Sequence, residues 1–581
     1  MLRVLKKFNV FLDKKQKGRL IIVVILMIIA ALFETVGVSL IVPIVTAMTN
    51  PNFINENKYA AMVCDWFGLD NTNEFLIFML GAFGALYIIK AAYLFFEYWV
   101  QQHFLRNNQV RLQKRLMEIF LRRPYEYYLN ISSGDVIQLI INDVSRSYIL
   151  LQQMMNFFSE GFVSLALAMV VFIINPVMAG CVALVLVLEL FIIAKFLRKK
   201  LTWMGIETRR VNSRVNKWLL QAIEGIKVTK ISRKEGFFHS QYSKHATKNA
   251  RITAKYNVYN NTPRLLIENV TVSAMMVIMI VMMIKGTSIS ELLPVISAFA
   301  VAAVRLLPSA NRISSVFNGI PYYEPNLDAV IKNMEVVNEA RNGVARDFKE
   351  DENAKPMEFS KTCGLSHVTY HYPNTEKNVL DDATMEIPFG KSVGIVGASG
   401  AGKTTAVDIM LGLLDPQDGK ILCDGVDIRE NYSGWLRNLS YIPQSIYLMD
   451  TDIAANVAYG ETGDQMDEAK IIHALEEAQL MDFINTLPDG IHTQIGERGI
   501  RLSGGQRQRI GIARALYNDP ELLIFDEATS SLDNDTESAI MESIEALHGR
   551  KTLVIIAHRL TTIENCDMVY RVENGKIQRE R

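Results

Sequence analysis

Little in this chain suits metal or disulfide chemistry. Its 581 residues include only 5 cysteines. They stand at positions 64, 181, 363, 423 and 566, with no C-x-x-C spacing and no histidine cluster beside them, which argues against a metal site or a disulfide framework. Net charge is absent too: 61 Lys and Arg balance 61 Asp and Glu, so overall electrostatics point to no partner class, nucleic acid included. The N-terminus lacks the pattern of a cleavable signal. Its first apolar run is roughly thirty residues, too long for an h-region of about 7–15. What the chain has in excess is apolar residues, 50% of the total with a mean hydropathy of +0.14. A soluble protein carries about 45–50% even with glycine counted. The excess is uneven: apolar runs crowd residues 1–320, while the remainder reads as an ordinary α/β domain.

Six segments are long enough to span about 30 Å of hydrocarbon at about 1.5 Å per residue: 20–48, 75–100, 148–174, 177–197, 264–285 and 289–316. Lys and Arg flanks orient them. Arg3, Lys6, Lys7, Lys14, Lys15, Lys17 and Arg19 precede the first; the next connection has only Lys58; the one after holds Arg106, Arg111, Lys114, Arg115, Arg122 and Arg123. Both termini and the two long loops are therefore expected on the cytoplasmic side. Those loops contain LRRPYEYYLNISSGDV (121–136) and LLQAIEGIKVTKISRKEGFF (219–238). The first has turn-forming Asn130, Ser132, Ser133 and Gly134 between two helical patterns and reads as an elbow at the tip of two protruding helices. A solvated loop is the plain alternative; two such elbows facing a following soluble domain favour docking. Outer residues 53–69 interleave Phe53, Tyr59, Met62, Trp66 and Phe67 with polar groups. They suit an amphipathic helix at the interface or a loop packed on its own protein.

A charged stretch, FKEDENAKPMEFS (348–360), leads to GIVGASGAGKTT (394–405). An apolar strand runs straight into G-x-x-x-x-G-K-T, the strand–loop–helix context that a phosphate-binding loop requires. Gly397, Ala398, Ser399, Gly400, Ala401 and Gly402 turn backbone N–H groups inward, and the next helix offers its positive end. Lys403 is placed for the β- and γ-phosphates, and Thr404, beside Thr405, for Mg²⁺. Downstream, LLIFDE (522–527) is a buried strand ending in two carboxylates. Asp526 suits the metal and Glu527 the attacking water.

With RLSGGQRQR (501–509) the chain resembles the ATP-binding cassette transporters over nearly its whole length. The resemblance implies that Ser503, Gly504, Gly505 and Gln506 contact the γ-phosphate held by an opposite subunit. It further implies that Gln444 in YIPQ senses Mg²⁺ and touches the membrane domain. His558 in IIAHRL matches the switch histidine, SSLD (530–533) the D-loop, GERG (496–499) an exporter element and Tyr372 in YHYP the aromatic that stacks on adenine. Alone, His558 or Tyr372 reads as core; six motifs in order remove that reading. One cassette then makes half of each site, which implies a homodimer with two ATP molecules between cassettes and steep cooperativity. The implied fold is six transmembrane helices of the type IV exporter kind (1–325), a linker (326–357) and an α/β P-loop nucleotide-binding domain (358–581). The implied location is a bacterial inner membrane.

The expected cargo rests on cations in the membrane. An arginine at the bilayer centre costs about 2.5–3.5 kcal/mol on the insertion scale. Arg305 and Arg312 are seven apart, about 20° short of two full turns, with Ser309 on the same face and Pro308 removing one backbone hydrogen bond. Arg305 lies about 25 Å and Lys90 about 22 Å below the outer ends of their segments, and Arg264 lies near the cytoplasmic end of the fifth. Arg264, with Glu268 one turn away, and Arg312 also fit snorkelling interfacial residues, and Glu34, Glu97, Glu160 and Glu189 are potential counter-charges. Lys90 and Arg305 favour a basic cavity for a phosphorylated lipid headgroup. RLLPSANRI and TPRLLIEN look like the lipid-linked oligosaccharide flippases of bacterial protein N-glycosylation, with Lys90 departing from an arginine expected there. That resemblance implies an ATP-driven flippase for a polyprenyl-diphosphate-linked oligosaccharide. A general lipid or multidrug exporter of the lipid A flippase kind, a peptide exporter and a non-transporting regulatory ATPase are the alternatives.

Overall fold

The computed structural model describes residues 2–10, 12–39, 58–69, 72–174, 176–284, 289–340, 354–373, 375–526, 541–542, 544–557 and 563–581; residues 289–305 enter by their backbone alone. The chain divides into two compact units, Met1–Arg123 with Asn130–Ala345, and Pro124–Leu129 with Arg346–Arg581.

The first unit is helical. Its main helices are α1 (Leu2–Phe8), α2 (Lys14–Ser39), α3 (Lys58–Phe67) and α4 (Thr72–Leu121). The first elbow follows with α5 (Tyr125–Leu129), which clusters with the second unit, and then α6 (Ser133–Ile137). A π-helical turn, Gln138–Asp143, leads into α7 (Val144–Ile174) and α8 (Pro176–Glu224). α9 (Ile226–Ile231) forms the second elbow, before α10 (Glu235–Ile284) and α11 (Ile289–Ala340). Helix is what apolar sequence must adopt where no water can bond the backbone. Among the described residues, four stretches are long and apolar enough to cross a membrane: Lys14–Val36, Asn73–Leu121, Ala179–Glu224 and Glu235–Ile284. Each expected span lies in a helix, as far as it is described. The helices, however, run on: α4 and α10 have 50 residues and α8 has 49. At about 1.5 Å per residue each is about 75 Å long, more than twice the hydrocarbon thickness.

The extensions hold together by close packing. A Cβ on Gly205 of α8 would lie 2.2 Å from the Tyr322 carbonyl oxygen of α11, so only glycine admits this approach of two backbones. Tyr322 stacks on Tyr256 of α10 at 3.7 Å between ring centroids, over a core of Leu201, Met204, Val211 and Ile252. The linker expected from 326 begins inside α11, which continues to Ala340. Leu327, Val330, Ile331 and Met334 form a buried stripe at helical spacing there. Between the first two spans, α3 buries Ala60 and Cys64 against Phe75 while Trp66 is 82% exposed. Over its described part, 58–69, the stretch holds a helix, Lys58–Phe67, packed on one side and open on the other.

The second unit holds two sheets. An antiparallel sheet has the order β2-β1-β4-β5, from β1 (Thr362–Tyr370), β2 (Leu380–Pro388), β4 (Asp418–Cys423) and β5 (Val426–Asp427). The larger sheet runs β10-β9-β3-β8-β7-β6, from β3 (Ser392–Val396), β6 (Leu439–Ile442), β7 (Leu522–Asp526), β8 (Thr552–Ile556), β9 (Met568–Glu573) and β10 (Lys576–Arg579). Strands β3, β7 and β8 are buried throughout and pair in parallel, as continuous apolar runs covered on both faces should be. Alternate residues feed two cores. Leu522, Ile524, Val554 and Ile556 join one with helix α12 (Lys403–Met410). Leu523, Phe525, Leu553 and Ile555 join the other with helix α13 (Gly504–Leu516).

Candidate functional site

The loop after β3 is built on three glycines with left-handed or otherwise positive φ: Gly397 at 154°, Gly400 at 79° and Gly402 at 105°. A Cβ on Gly397 would fall 2.4 Å from the Val572 carbonyl oxygen, so this bend needs glycine. Gly402 caps α12, which directs the first N–H groups of that helix into the loop. Lys403 is buried, and its ammonium donates to the carbonyls of Gly397 at 2.9 Å and Ala398 at 3.1 Å, closing the cradle on itself. Ala398, Ser399, Gly400 and Thr404 are exposed, whereas Thr405 is buried with its hydroxyl 3.0 Å from the Tyr372 hydroxyl.

Beside this loop, Asp526 ends β7 and is 6% exposed. The Tyr441 hydroxyl donates to its Oδ2 at 2.9 Å. Asp408, on α12, is pushed up to about 6, by burial first and then by the charge of Asp526. Gln444 is exposed two residues beyond β6. Ser503 caps α13 in a reciprocal capping box: its hydroxyl accepts from the Gln506 N–H at 3.2 Å, and Gln506 Oε1 accepts from the Ser503 N–H at 2.8 Å. Gln506 is therefore spent on its own helix start, while Ser503 and Gly504 remain exposed and Gly505 is buried. Ala401 is half-buried. Glu527, His558 and the SSLD stretch lie outside the described residues.

The phosphate-loop helix α12 and the signature helix α13 pack into different cores, on opposite faces of one sheet. The chain thus brings Lys403, Thr404, Thr405, Tyr372 and Asp526 to one region and sets Ser503–Gln506 apart from it. Tyr441 was overlooked in the sequence although YIPQ contains it, since nothing local connects it to a residue 85 positions away.

Among the membrane cations, two are engaged. Arg264 Nε donates to Glu268 Oε1 at 2.9 Å, and Asn311 Nδ2 reaches the same oxygen at 3.1 Å. Arg312 Nε meets Glu160 Oε1 at 2.8 Å. The four expected cations are therefore not a set of unpaired charges, because one-turn spacing and helix packing supply two of them with glutamates. Lys90 is 7% exposed, with its ammonium 4.9 Å from the Tyr87 ring centroid. The side chain of Arg305 lies outside the described residues.

Comparison with known proteins agrees with this architecture. Residues 380–530 match the family model for the ABC transporter, and residues 20–302 that for the ABC transporter transmembrane region. The heterocyst differentiation ATP-binding protein HepA of Nostoc sp. is 30% identical over 489 residues, 81% of this chain and 76% of that protein. The ATP-dependent lipid A-core flippase of Saccharophagus degradans is 31% identical over 479 residues, 81% and 78% of the two chains. The solved structure of a bacterial Atm1-family ABC exporter with ATP bound superposes with a TM-score of 0.77, covering 97% of this chain and 95% of that one at 21% identity. With a membrane unit of long helices and an ATP-binding unit in one chain, this protein belongs to the ABC transporters, as an exporter half-transporter that couples ATP hydrolysis to transport.

Proposed function

We propose that two copies of this chain form a homodimeric flippase that moves an amphipathic lipid with a phosphorylated headgroup outward across a bacterial inner membrane, termini on the cytoplasmic side. The observation that carries the dimer is the placement of α12 and α13 on opposite faces of one sheet. One chain then presents its phosphate loop to the Ser503–Gln506 segment of another, and ATP at the joint closes the pair. Lys403 holds the β- and γ-phosphates, Tyr372 stacks on adenine, Glu527 orients the attacking water, and His558 and Gln444 report the state of the γ-phosphate. The exposed Thr404 hydroxyl and the Asp526 carboxylate, with Gln444 three residues after the Tyr441 that bonds Asp526, are hard oxygen donors of the kind that suits Mg²⁺, which keeps several waters. Bound there, Mg²⁺ neutralises charge developing on the phosphates.

For the cargo, the relatives named ATP-dependent lipid A-core flippases support a lipid of the lipid A-core kind. A polyprenyl-diphosphate-linked oligosaccharide is the narrower reading and asks for several free cations. With Arg264 and Arg312 held by glutamates, it rests on Lys90 and Arg305. The test is ATPase stimulation and translocation in proteoliposomes, comparing a lipid A-core glycolipid, a polyprenyl-diphosphate oligosaccharide and an uncharged lipid. Stimulation by a phosphorylated lipid, with a Hill coefficient for ATP above one, is expected. Stimulation by the uncharged lipid alone, or full turnover in monomeric fractions, overturns the proposal.

A further inference from the structure

The short helix α5 of the first elbow is grouped with the nucleotide-binding unit, and its chemistry there is specific. Tyr370, the last residue of β1, is fully buried. A buried phenol needs a hydrogen-bond partner. Tyr370 finds one outside its own sheet: its hydroxyl donates to Glu126 Oε1 of α5 at 3.0 Å. The Tyr370 ring stands edge-on to the Tyr372 ring, with centroids 5.3 Å apart and planes at 80°. Tyr372 in turn shares a 3.0 Å hydrogen bond with Thr405, on the phosphate-loop helix. An unbroken series of contacts thus joins an elbow carboxylate to the ring placed for adenine and to the phosphate loop.

We propose that Glu126 and Tyr370 are positioning residues for the nucleotide: the elbow carboxylate fixes Tyr370, Tyr370 fixes the Tyr372 ring, and the elbow thereby sets the affinity for ATP. The inference rests on the reading of Tyr372 as the residue that stacks on adenine. A hydrogen bond to a carboxylate is about twice as strong as a neutral one, so Glu126 is the firmest anchor in the series. With it removed, the phenol is left buried and unsatisfied, and Tyr370 shifts toward water, taking its edge from Tyr372. The surroundings agree. Burial pushes the Tyr125 hydroxyl of the same helix up, with Asp408 and Tyr372 adding to it, so α5 lies within electrostatic reach of the phosphate-loop helix and the adenine-side ring.

The test uses the full-length protein in nanodiscs. Glu126→Ala and Tyr370→Phe should each raise KM for ATP about 3- to 10-fold, the scale of one aromatic contact, with kcat little changed. Glu126→Gln keeps an acceptor oxygen and should restore most of the affinity. The Ala–Phe double variant should be no worse than either single one. Inhibition by inorganic triphosphate, which has no ring to stack, should be unchanged in all of them; a general loss of structure would weaken it as well. Tyr372→Ala separates the two readings. If it raises KM while Glu126→Ala and Tyr370→Phe do not, the positioning role is overturned and the adenine reading stands. If Tyr372→Ala leaves KM unchanged, both are overturned.

Discussion

Removing the carboxylate of Asp143 should destabilise the membrane unit more than almost any other single change to its polar residues. Asp143 ends the π-helical turn and is 0% exposed. Its Oδ1 accepts from Gln138 Nε2 at 2.8 Å and its Oδ2 from Arg209 Nε at 2.7 Å. Gln138, also buried, accepts at its own Oε1 from Asn212 Nδ2 at 2.6 Å. The first elbow's return strand of helix is thereby bolted to α8, which descends to the second elbow. Breaking one partner out of a buried pair costs about 3–5 kcal/mol. The Arg209 side chain is 34% exposed, so water takes over part of its solvation, and about 3 kcal/mol is the fitting figure for Asp143→Ala. At roughly 2 °C per kcal/mol for a large unit, the melting temperature in nanodiscs should fall about 6 °C. Arg209→Ala carries an independent signature. Burial raises the Asp143 carboxyl and the Arg209 charge lowers it, with burial ahead. Without Arg209 the folded value rises further, so stability should be highest at pH below the ordinary 3.8 and fall as pH rises toward the folded value. A melting temperature for Asp143→Ala within about 1 °C of the native one, or a pH-independent Arg209→Ala, refutes the reasoning.

Two further outcomes test packing and electrostatics elsewhere. Gly205→Ala inserts a methyl 2.2 Å from the Tyr322 carbonyl oxygen and should cost about 3 kcal/mol or more by overpacking, read as a lower melting temperature. Gly84→Ala, with nothing within 4 Å of the added carbon, should be neutral or slightly stabilising. In the nucleotide-binding unit, burial works against Asp567, but the Ser392 N–H, Lys391, His548 and the Ser392 hydroxyl together bring it down to about 2. Its contribution is present above the ordinary 3.8 and lost as pH falls toward 2. Asp567→Asn should therefore flatten the acid limb of a stability profile taken between pH 5 and pH 3, and an unchanged limb would contradict the assignment.

The phosphate loop was legible in the sequence because its chemistry is contiguous: turn glycines, the lysine and the helix start fall within nine residues. The pairing of Arg312 with Glu160 was not, since those residues are far apart in sequence and nothing local selects Glu160 over Glu34, Glu97 or Glu189. Glu189 shows the same limit from the other side, as both its carboxylate oxygens are buried without a hydrogen-bond partner among the described residues. The spans mark only part of each long helix, for a different reason. An apolar window registers only the part of a helix that faces lipid, whereas the extensions bury one stripe and leave the rest wet. The stripe Leu327, Val330, Ile331 and Met334 carries a helical period, yet the Glu324, Asp328 and Lys332 interleaved with it look like the start of a linker. The link from Glu126 to Tyr370 was invisible because 244 positions separate the two residues in the sequence, although both fall in the second unit.

The paired arginines change where a cargo headgroup would gain most. The Arg264 side chain is 67% exposed and the Arg312 side chain 52%, so each guanidinium keeps an open face beyond its glutamate. At those open faces a phosphate, with its greater charge and bidentate geometry, competes with Glu268 and Glu160 for the guanidinium groups. Their net charge is nonetheless zero, so they offer exchange of one anion for another rather than an empty positive site. Lys90 is in the opposite position. It is buried, and among the described residues its one contact of electrostatic kind is the face of Tyr87, which offsets only about 0.5–2 kcal/mol of a buried ammonium's lost hydration. An anion brought to Lys90 relieves a cost already present, while one brought to Arg264 or Arg312 must first displace a carboxylate. The physical case for a phosphorylated cargo accordingly turns on Lys90 more than on the two arginines, the reverse of what side-chain geometry alone suggests.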